Sequence, residues 1–324
     1  MRFENILDAV GRTPLVRLNR LAAGLPASVY AKLEYLNPGG SVKDRIAMAM
    51  IGDAEKKGLL KPGGTIVEDT SGNTGIGLAI VAAARGYRAV FVMTDKQSAE
   101  KTQLLKALGA EVVLCPADAP PDDPRSIYST AVRLAEEIPG AYHPNQYDNP
   151  LNPDAHYRTT GPEIWHDTEG RITHFVCGMG TGGTISGAAR FLKEMNASIK
   201  VVGVDPVGSI FYDCFKTGRP GKTASYVVEG IGEDRITAAM DFSVLDEVVR
   251  VTDEECCVTT RRLARLEGIL AGGSSGGCVA VALGVAARAG EGDLVASILP
   301  DSGMRYLSKI YNDGWMIEHG YSLL

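Results

Sequence analysis

His174-Phe175-Val176-Cys177-Gly178-Met179-Gly180-Thr181-Gly182-Gly183-Thr184 is the stretch that decides the fold. An apolar run suited to a buried strand enters a glycine loop, and the pattern over 183–195 turns helical at once. The same order repeats outward in both directions. Strand candidates lie at 29–33, 65–68, 89–93, 111–114, 174–177, 200–204, 248–251 and 294–298. Helical patterns at 42–57, 74–85, 98–108, 126–137, 183–195, 253–267 and 277–289 fill most of the gaps. Such alternation predicts an α/β protein with twisted, mostly parallel sheets flanked by helices. At about 150 residues per domain, 324 residues predict two domains, with a boundary in the Pro- and Asn-rich segment 143–153. Ser41 with Asp44, and Thr252 with Glu255, have capping-box spacing at helix starts.

Composition narrows the classes. There are 38 glycines, about 12% of the chain against a usual share of about 7%. Collagen is excluded by the lack of a G-X-Y period, and disorder by 45% hydrophobic against 22% charged residues. A net charge of −6 without a basic run argues against nucleic acid or an anionic membrane as partner. Cys115, Cys177, Cys214, Cys256, Cys257 and Cys278 form no C-x-x-C pair and read as reduced, buried thiols of a cytoplasmic protein. The vicinal Cys256-Cys257 reads as helical, with a redox pair as the alternative. Phe3, Ile6, Leu7 and Val10 predict one apolar helix face rather than a signal peptide. The uncharged stretch 268–287 has only ten apolar positions in a row, about half of what a bilayer needs. The five histidines show no ligand spacing, so no metal is expected.

Four glycine loops carry candidate chemistry. In Asn37-Pro38-Gly39-Gly40-Ser41-Val42-Lys43-Asp44-Arg45, Lys43 falls in the first turn of a helix. The positive end of the helix dipole disfavours its charge, which suits a Schiff-base lysine as well as it permits an ordinary surface one. Thr70-Ser71-Gly72-Asn73-Thr74-Gly75 opens the next helix and reads either as an anion-binding turn or as a plain cap. The loop 178–184 satisfies G-x-G-x-x-G, with Asp205 at the end of the following strand. That is a dinucleotide fingerprint, and an NAD-dependent dehydrogenase is one reading; Thr181 and Thr184 suit a single terminal phosphate. Gly272-Gly273-Ser274-Ser275-Gly276 contains G-x-S-x-G with Asp301 and His319 beyond it, but a helical pattern stands where a nucleophile elbow needs a strand.

A lysine, an anion turn, a phosphate cup and a Gly/Ser loop together fit a pyridoxal-phosphate site. The motifs Gly11-x-Thr13-Pro14-Leu15, 37–45, 70–75 and 180–184 resemble the cysteine synthase and cystathionine β-synthase family, and the likeness runs from residue 11 to about residue 320. The resemblance implies the tryptophan synthase β-subunit-like fold of pyridoxal-phosphate enzymes. Residues 1–40 and 146–324 would form a larger cofactor-binding domain, and 41–145 a smaller mobile one that closes over substrate. It implies that Lys43 forms the internal aldimine and acts in catalysis, that Asn73 bonds the cofactor's 3′-hydroxyl, and that Gly180, Thr181, Gly182, Gly183 and Thr184 cradle its phosphate. Ser274 would face the pyridine nitrogen. Thr70, Ser71, Asn73, Thr74 and Gln146 would grip the substrate carboxylate, and Gly232 would also line the substrate site.

The activity so implied is β-replacement through an aminoacrylate. Gly203 to Ile210, Glu229-Gly230-Ile231-Gly232 and Leu299 to Gly303 are similar to the cystathionine β-synthase branch, which joins L-serine to L-homocysteine. Cysteine synthesis from O-acetylserine and sulfide, cysteine desulfhydration and diaminopropionate synthesis share the first half-reaction and stay open. So does a catalytically silent binding scaffold. Glu233 leaves the second substrate undecided between a thiol and an amine. No haem and no tandem regulatory domains are expected, since the Gly11 motif begins almost at once and the chain stops at Leu324. A homodimer is the assembly the resemblance implies.

Overall fold

The computed structural model describes residues 2–70, 72–95, 99–120 and 122–323. The strands run in chain order as β1 (Leu15–Arg17), β2 (Ser28–Leu33), β3 (Thr65–Asp69), β4 (Arg88–Thr94), β5 (Glu111–Cys115), β6 (Ala141–Tyr142), β7 (His174–Gly178), β8 (Lys200–Pro206), β9 (Glu247–Val251) and β10 (Leu294–Leu299). The helices are α1 (Lys43–Lys56), α2 (Asn73–Arg85), α3 (Ala99–Ala107), α4 (Ile127–Glu137), α5 (Leu151–Arg158), α6 (Thr160–Asp167), α7 (Gly183–Met195), α8 (Phe211–Thr217), α9 (Asp253–Arg262), α10 (Gly273–Arg288) and α11 (Asp313–Glu318). The chain divides into two compact units, Met1–Val10 with Asn37–Leu151 and Gly11–Leu36 with Asn152–Leu324.

The first unit holds a parallel sheet of order β5-β4-β3-β6. Every residue of β3 is buried, as expected of a strand covered on both faces. Ile66, Phe91 and Met93 pack with Ala47, Ile51, Ile76 and Leu78 on one side, and Val67, Val90 and Val92 pack with Ala131 on the other. Leu7 joins the first cluster and residues 1–10 group with this unit, whereas the family resemblance implied that residues 1–40 belong to the larger domain.

The second unit holds a sheet of order β1-β2-β10-β7-β8-β9, parallel except for the antiparallel edge strand β1. Here β10 is buried throughout, and α10 packs on it, on β7 and on α9.

Several expectations need correction. The amphipathic N-terminal helix is a 3-10 turn, Ile6–Ala9, capped by Asn5; of its four apolar positions only Leu7 is buried, and Phe3 and Ile6 are exposed. Val42 precedes α1 without a side-chain cap, and the Asp44 carboxylate accepts from Gly39 N instead of closing a box with Ser41. The box at Thr252 and Glu255 is formed. The pattern over 253–267 splits into α9 and a π turn, Leu263–Glu267, while α10 starts four residues before the expected position 277. All six cysteines are free and buried, with Cys256 and Cys257 in α9.

Candidate active site

In the first unit the chain leaves β3 at Asp69 and enters α2 at Asn73. Gly72 precedes the helix at φ +126°, a conformation that side chains other than hydrogen rarely adopt. Thr70 Oγ1 accepts from Gly72 N (3.1 Å) and Gly75 N (3.2 Å), so the strand end caps the helix. Thr74 Oγ1 donates to Gln146 Oε1 (2.6 Å), and Gln146 Nε2 donates to the Asp69 carbonyl (3.2 Å). Thr70, Asn73, Thr74 and Gln146 are thereby gathered at the end of β3 and the start of α2; Ser71 lies outside the described residues. Lys43 is half-buried and opens α1, with its N–H 3.3 Å from Ser41 Oγ. A Cβ on Gly77 would stand 3.1 Å from the Lys43 carbonyl and 3.2 Å from Ala47 Cβ, so the bare backbone there lets α1 lie close on α2.

Below this turn sits a cluster that no motif announced. Glu68 is fully buried, and its Oε2 and Oε1 accept from Asn145 N (2.8 Å) and Gln146 N (2.9 Å). His143 Nε2 lies 3.0 Å from Asp69 Oδ1 and 3.7 Å from Glu68 Oε2. Burial first, then the Asp69 charge, push Glu68 up to about 8, although His143 and the two N–H groups oppose them. Burial pulls His143 down, but its bond to Asp69 and the two acidic charges outweigh it and leave the imidazole raised. Some seventy residues separate β3 from His143, so spacing along the chain could not reveal this partnership.

In the second unit, β7 runs through Gly178 to Gly182 and into α7. Gly182 stands at φ +85° before the helix, and no side chain among the described residues caps it. A Cβ on Gly182 would come 2.6 Å from Met240, one on Gly180 2.8 Å from the Gly230 carbonyl, and one on Gly183 would overlap the Asn152 amide. Thr181 Oγ1 accepts from Asn152 Nδ2 (3.0 Å), and Thr237 Oγ1 donates to the Thr181 carbonyl (2.8 Å). Thr184 Oγ1 lies 3.1 Å from His156 Nε2, whose Nδ1 meets Thr160 Oγ1 at 2.9 Å. Asn152, His156 and Thr237 were missed, because each lies in a stretch with no motif of its own.

Ser274 is buried in the first turn of α10, and a Cβ on Gly230 would stand 3.6 Å from its Oγ. The neighbouring Ser275 Oγ is buried with no hydrogen-bond partner among the described residues. Gly232, at φ +83°, donates to the Met179 carbonyl (2.7 Å), and a Cβ there would meet the Tyr226 hydroxyl at 2.6 Å. Burial, then the charges of Glu233 and Asp205, drive the Tyr226 hydroxyl far above its ordinary value.

The two rival motifs lose their context. Asp205 is fully buried and accepts from Tyr212 N (2.8 Å), so its carboxylate is not presented to a ribose. Ser274 follows α9 and a π turn rather than a strand, the Tyr306 hydroxyl donates to Asp301 (2.7 Å), and His319 stacks on Trp315.

The pyridoxal-phosphate dependent enzyme family matches residues 6–301. The chain belongs to that family. It is 48% identical over 319 residues to cystathionine beta-synthase of Apis mellifera, covering 98% of this chain and 63% of that protein. It is 44% identical to cysteine synthase of Staphylococcus aureus strain N315, covering 94% and 96%. The chain thus spans less than two thirds of the length of the first of these curated relatives. Among solved structures, O-acetylserine dependent cystathionine beta-synthase from Helicobacter pylori matches at TM-score 0.89 and 41% identity over 96% of this chain and all of that one. O-ureido-L-serine synthase matches at TM-score 0.89 and 43% identity over 98% and 100%. The second unit's own geometry suits the family's cofactor. The N-terminus of α7 is a positive dipole end without a side-chain cap, lined by glycines and threonine hydroxyls, which is the chemistry a phosphate needs.

Proposed function

We propose that the protein is a β-replacement enzyme that joins L-serine, or an activated serine, to L-homocysteine to give cystathionine. Bound pyridoxal phosphate would supply the electron sink at the substrate's α-carbon. Gly180, Gly182 and Gly183, with the Thr181 and Thr184 hydroxyls, would hold the phosphate at the start of α7. Ser274 would face the ring nitrogen as a neutral partner, and Asn73 would bond the 3′-hydroxyl. Thr70, Ser71, Thr74 and Gln146 would orient the substrate carboxylate. Lys43 Nζ would carry the cofactor, take the proton from the α-carbon, and return one to a departing hydroxyl when serine is the substrate. Gly232 would line the path of the second substrate. Six buried free thiols support a reducing compartment, the cytoplasm; a homodimer is the assembly proposed with it.

The observation that carries this reading is the uncapped, glycine-built start of α7 directly after β7. The choice of cystathionine rests on similarity across nearly the whole chain to proteins of that name. A second reading is favoured by the acidic surroundings of Gly232, where Glu233 and Asp205 act on Tyr226. They oppose a nucleophile bearing its own carboxylate and suit a neutral amine or hydroxylamine type, as the likeness to O-ureido-L-serine synthase also suggests. The test offers L-serine and O-acetyl-L-serine, each with homocysteine, sulfide, glutamate or hydroxyurea. Cystathionine formed fastest supports the first reading; homocysteine inert while hydroxyurea or sulfide reacts overturns it.

A further inference from the structure

Gln146 is held from two sides. Its side chain spans Thr74 Oγ1 and the Asp69 carbonyl, while its N–H and that of Asn145 converge on the two oxygens of Glu68. Asn145 stands at φ +52°, a left-handed conformation that asparagine adopts more readily than most non-glycine residues. Both Glu68 oxygens are taken by the N–H groups of this turn, which is also braced where the Asn145 carbonyl accepts from Asn149 N (3.0 Å). The Thr74 hydroxyl proton is committed to Gln146 Oε1, and one Gln146 amide hydrogen to Asp69.

We propose that Glu68 is a positioning residue for carboxylate binding, that it sets the Asn145–Gln146 turn, and that the His143–Asp69 pair beside it regulates the charge the turn presents. This rests on the proposed function, in which Thr74 and Gln146 receive the substrate carboxylate. The titratable groups facing Glu68 among the described residues are Asp69 on the same strand, His143, and Tyr142 on β6. Both Glu68 and His143 lose their protons at higher pH than they would in water. As pH rises the cluster therefore gains negative charge directly behind the turn, and a carboxylate should bind there more weakly.

The experiment uses acetate as a bare carboxylate probe on the purified holoenzyme, with affinity read by calorimetry and the cofactor followed by its visible absorbance. Wild-type affinity is expected to fall about tenfold from pH about 6 to pH about 9, a span that brackets the value of about 8 for Glu68. Glu68→Gln leaves one backbone N–H facing an amide nitrogen. It is expected to bind acetate several-fold more weakly at the low end, with a flattened pH slope and unchanged absorbance. His143→Gln, at a side chain 18% exposed, tests the same idea with little risk to folding. Without the imidazolium, Glu68 holds its proton longer, so the break in affinity should move to higher pH. A coloured holoenzyme in which Glu68→Gln keeps the wild-type affinity and slope, or His143→Gln an unshifted break, overturns this inference alone. A colourless protein overturns the proposed function and the inference together.

Discussion

Gly183 has no room for a side chain, because an added Cβ would fall within the Asn152 amide that donates to Thr181. Gly183→Ala must push Asn152 aside, at a cost of about 1–3 kcal/mol, and the displaced amide releases Thr181. The expected result is a lower melting temperature and a cofactor dissociation constant raised about tenfold or more, measured by dialysis and absorbance. Wild-type values for both would show that the cup does not depend on this packing. Glycine spacing made this site legible in the sequence, since 178, 180, 182 and 183 mark where backbone must stay bare. The residues that hold the cup were not legible. Asn152, His156 and Thr237 reach it across long stretches of chain, and nothing in their local sequence distinguishes them from ordinary polar residues.

At the level of elements, α1 and α2 meet where Gly77 lies on the Lys43 carbonyl and Ala47. Gly77→Val would force the helices apart at the turn that carries Lys43. A loss of about 1–3 kcal/mol is expected, read as a fall of about 2–4 °C in melting temperature for each kcal/mol. An unchanged midpoint would mean that α1 shifts freely, and that its position is not fixed by this contact. The eight longer strands and seven helices were visible as periodic runs. β1 and β6, with three and two residues, are too short to show a period. The polar α5 and α6 are interrupted at Thr159, and α8 and α11 span only seven and six residues. The start of α10 was hidden because Gly273 to Gly277 read as loop; buried packing on α9 and β10 overrides their poor helix propensity.

For the whole molecule, parallel sheets flanked by helices followed from the alternation of patterns, but the order β1-β2-β10-β7-β8-β9 did not. That order pairs strands from opposite ends of the chain, and only their mutual packing selects it. Buried acids give the fold a pH dependence of definite sign. Burial raises Glu68 to about 8 and Asp205 to about 6, and His143 is raised as well. A raised folded-state value means that the native chain holds protons the unfolded chain has released. The stability from these groups is therefore full below the ordinary carboxylate range and is lost as pH rises through about 6 and then about 8. The thermal midpoint is expected to fall across that span, and Glu68→Gln should flatten its upper part; a midpoint that rises there would contradict the assignment. Lys43 is the residue proposed to carry pyridoxal phosphate. Borohydride reduction of the purified protein followed by peptide mass analysis tests it most directly. A yellow protein that bleaches, with one pyridoxyl-phosphate mass on the peptide containing Lys43 and none in Lys43→Ala, is the predicted result; a colourless protein, or the adduct on another lysine, would contradict it.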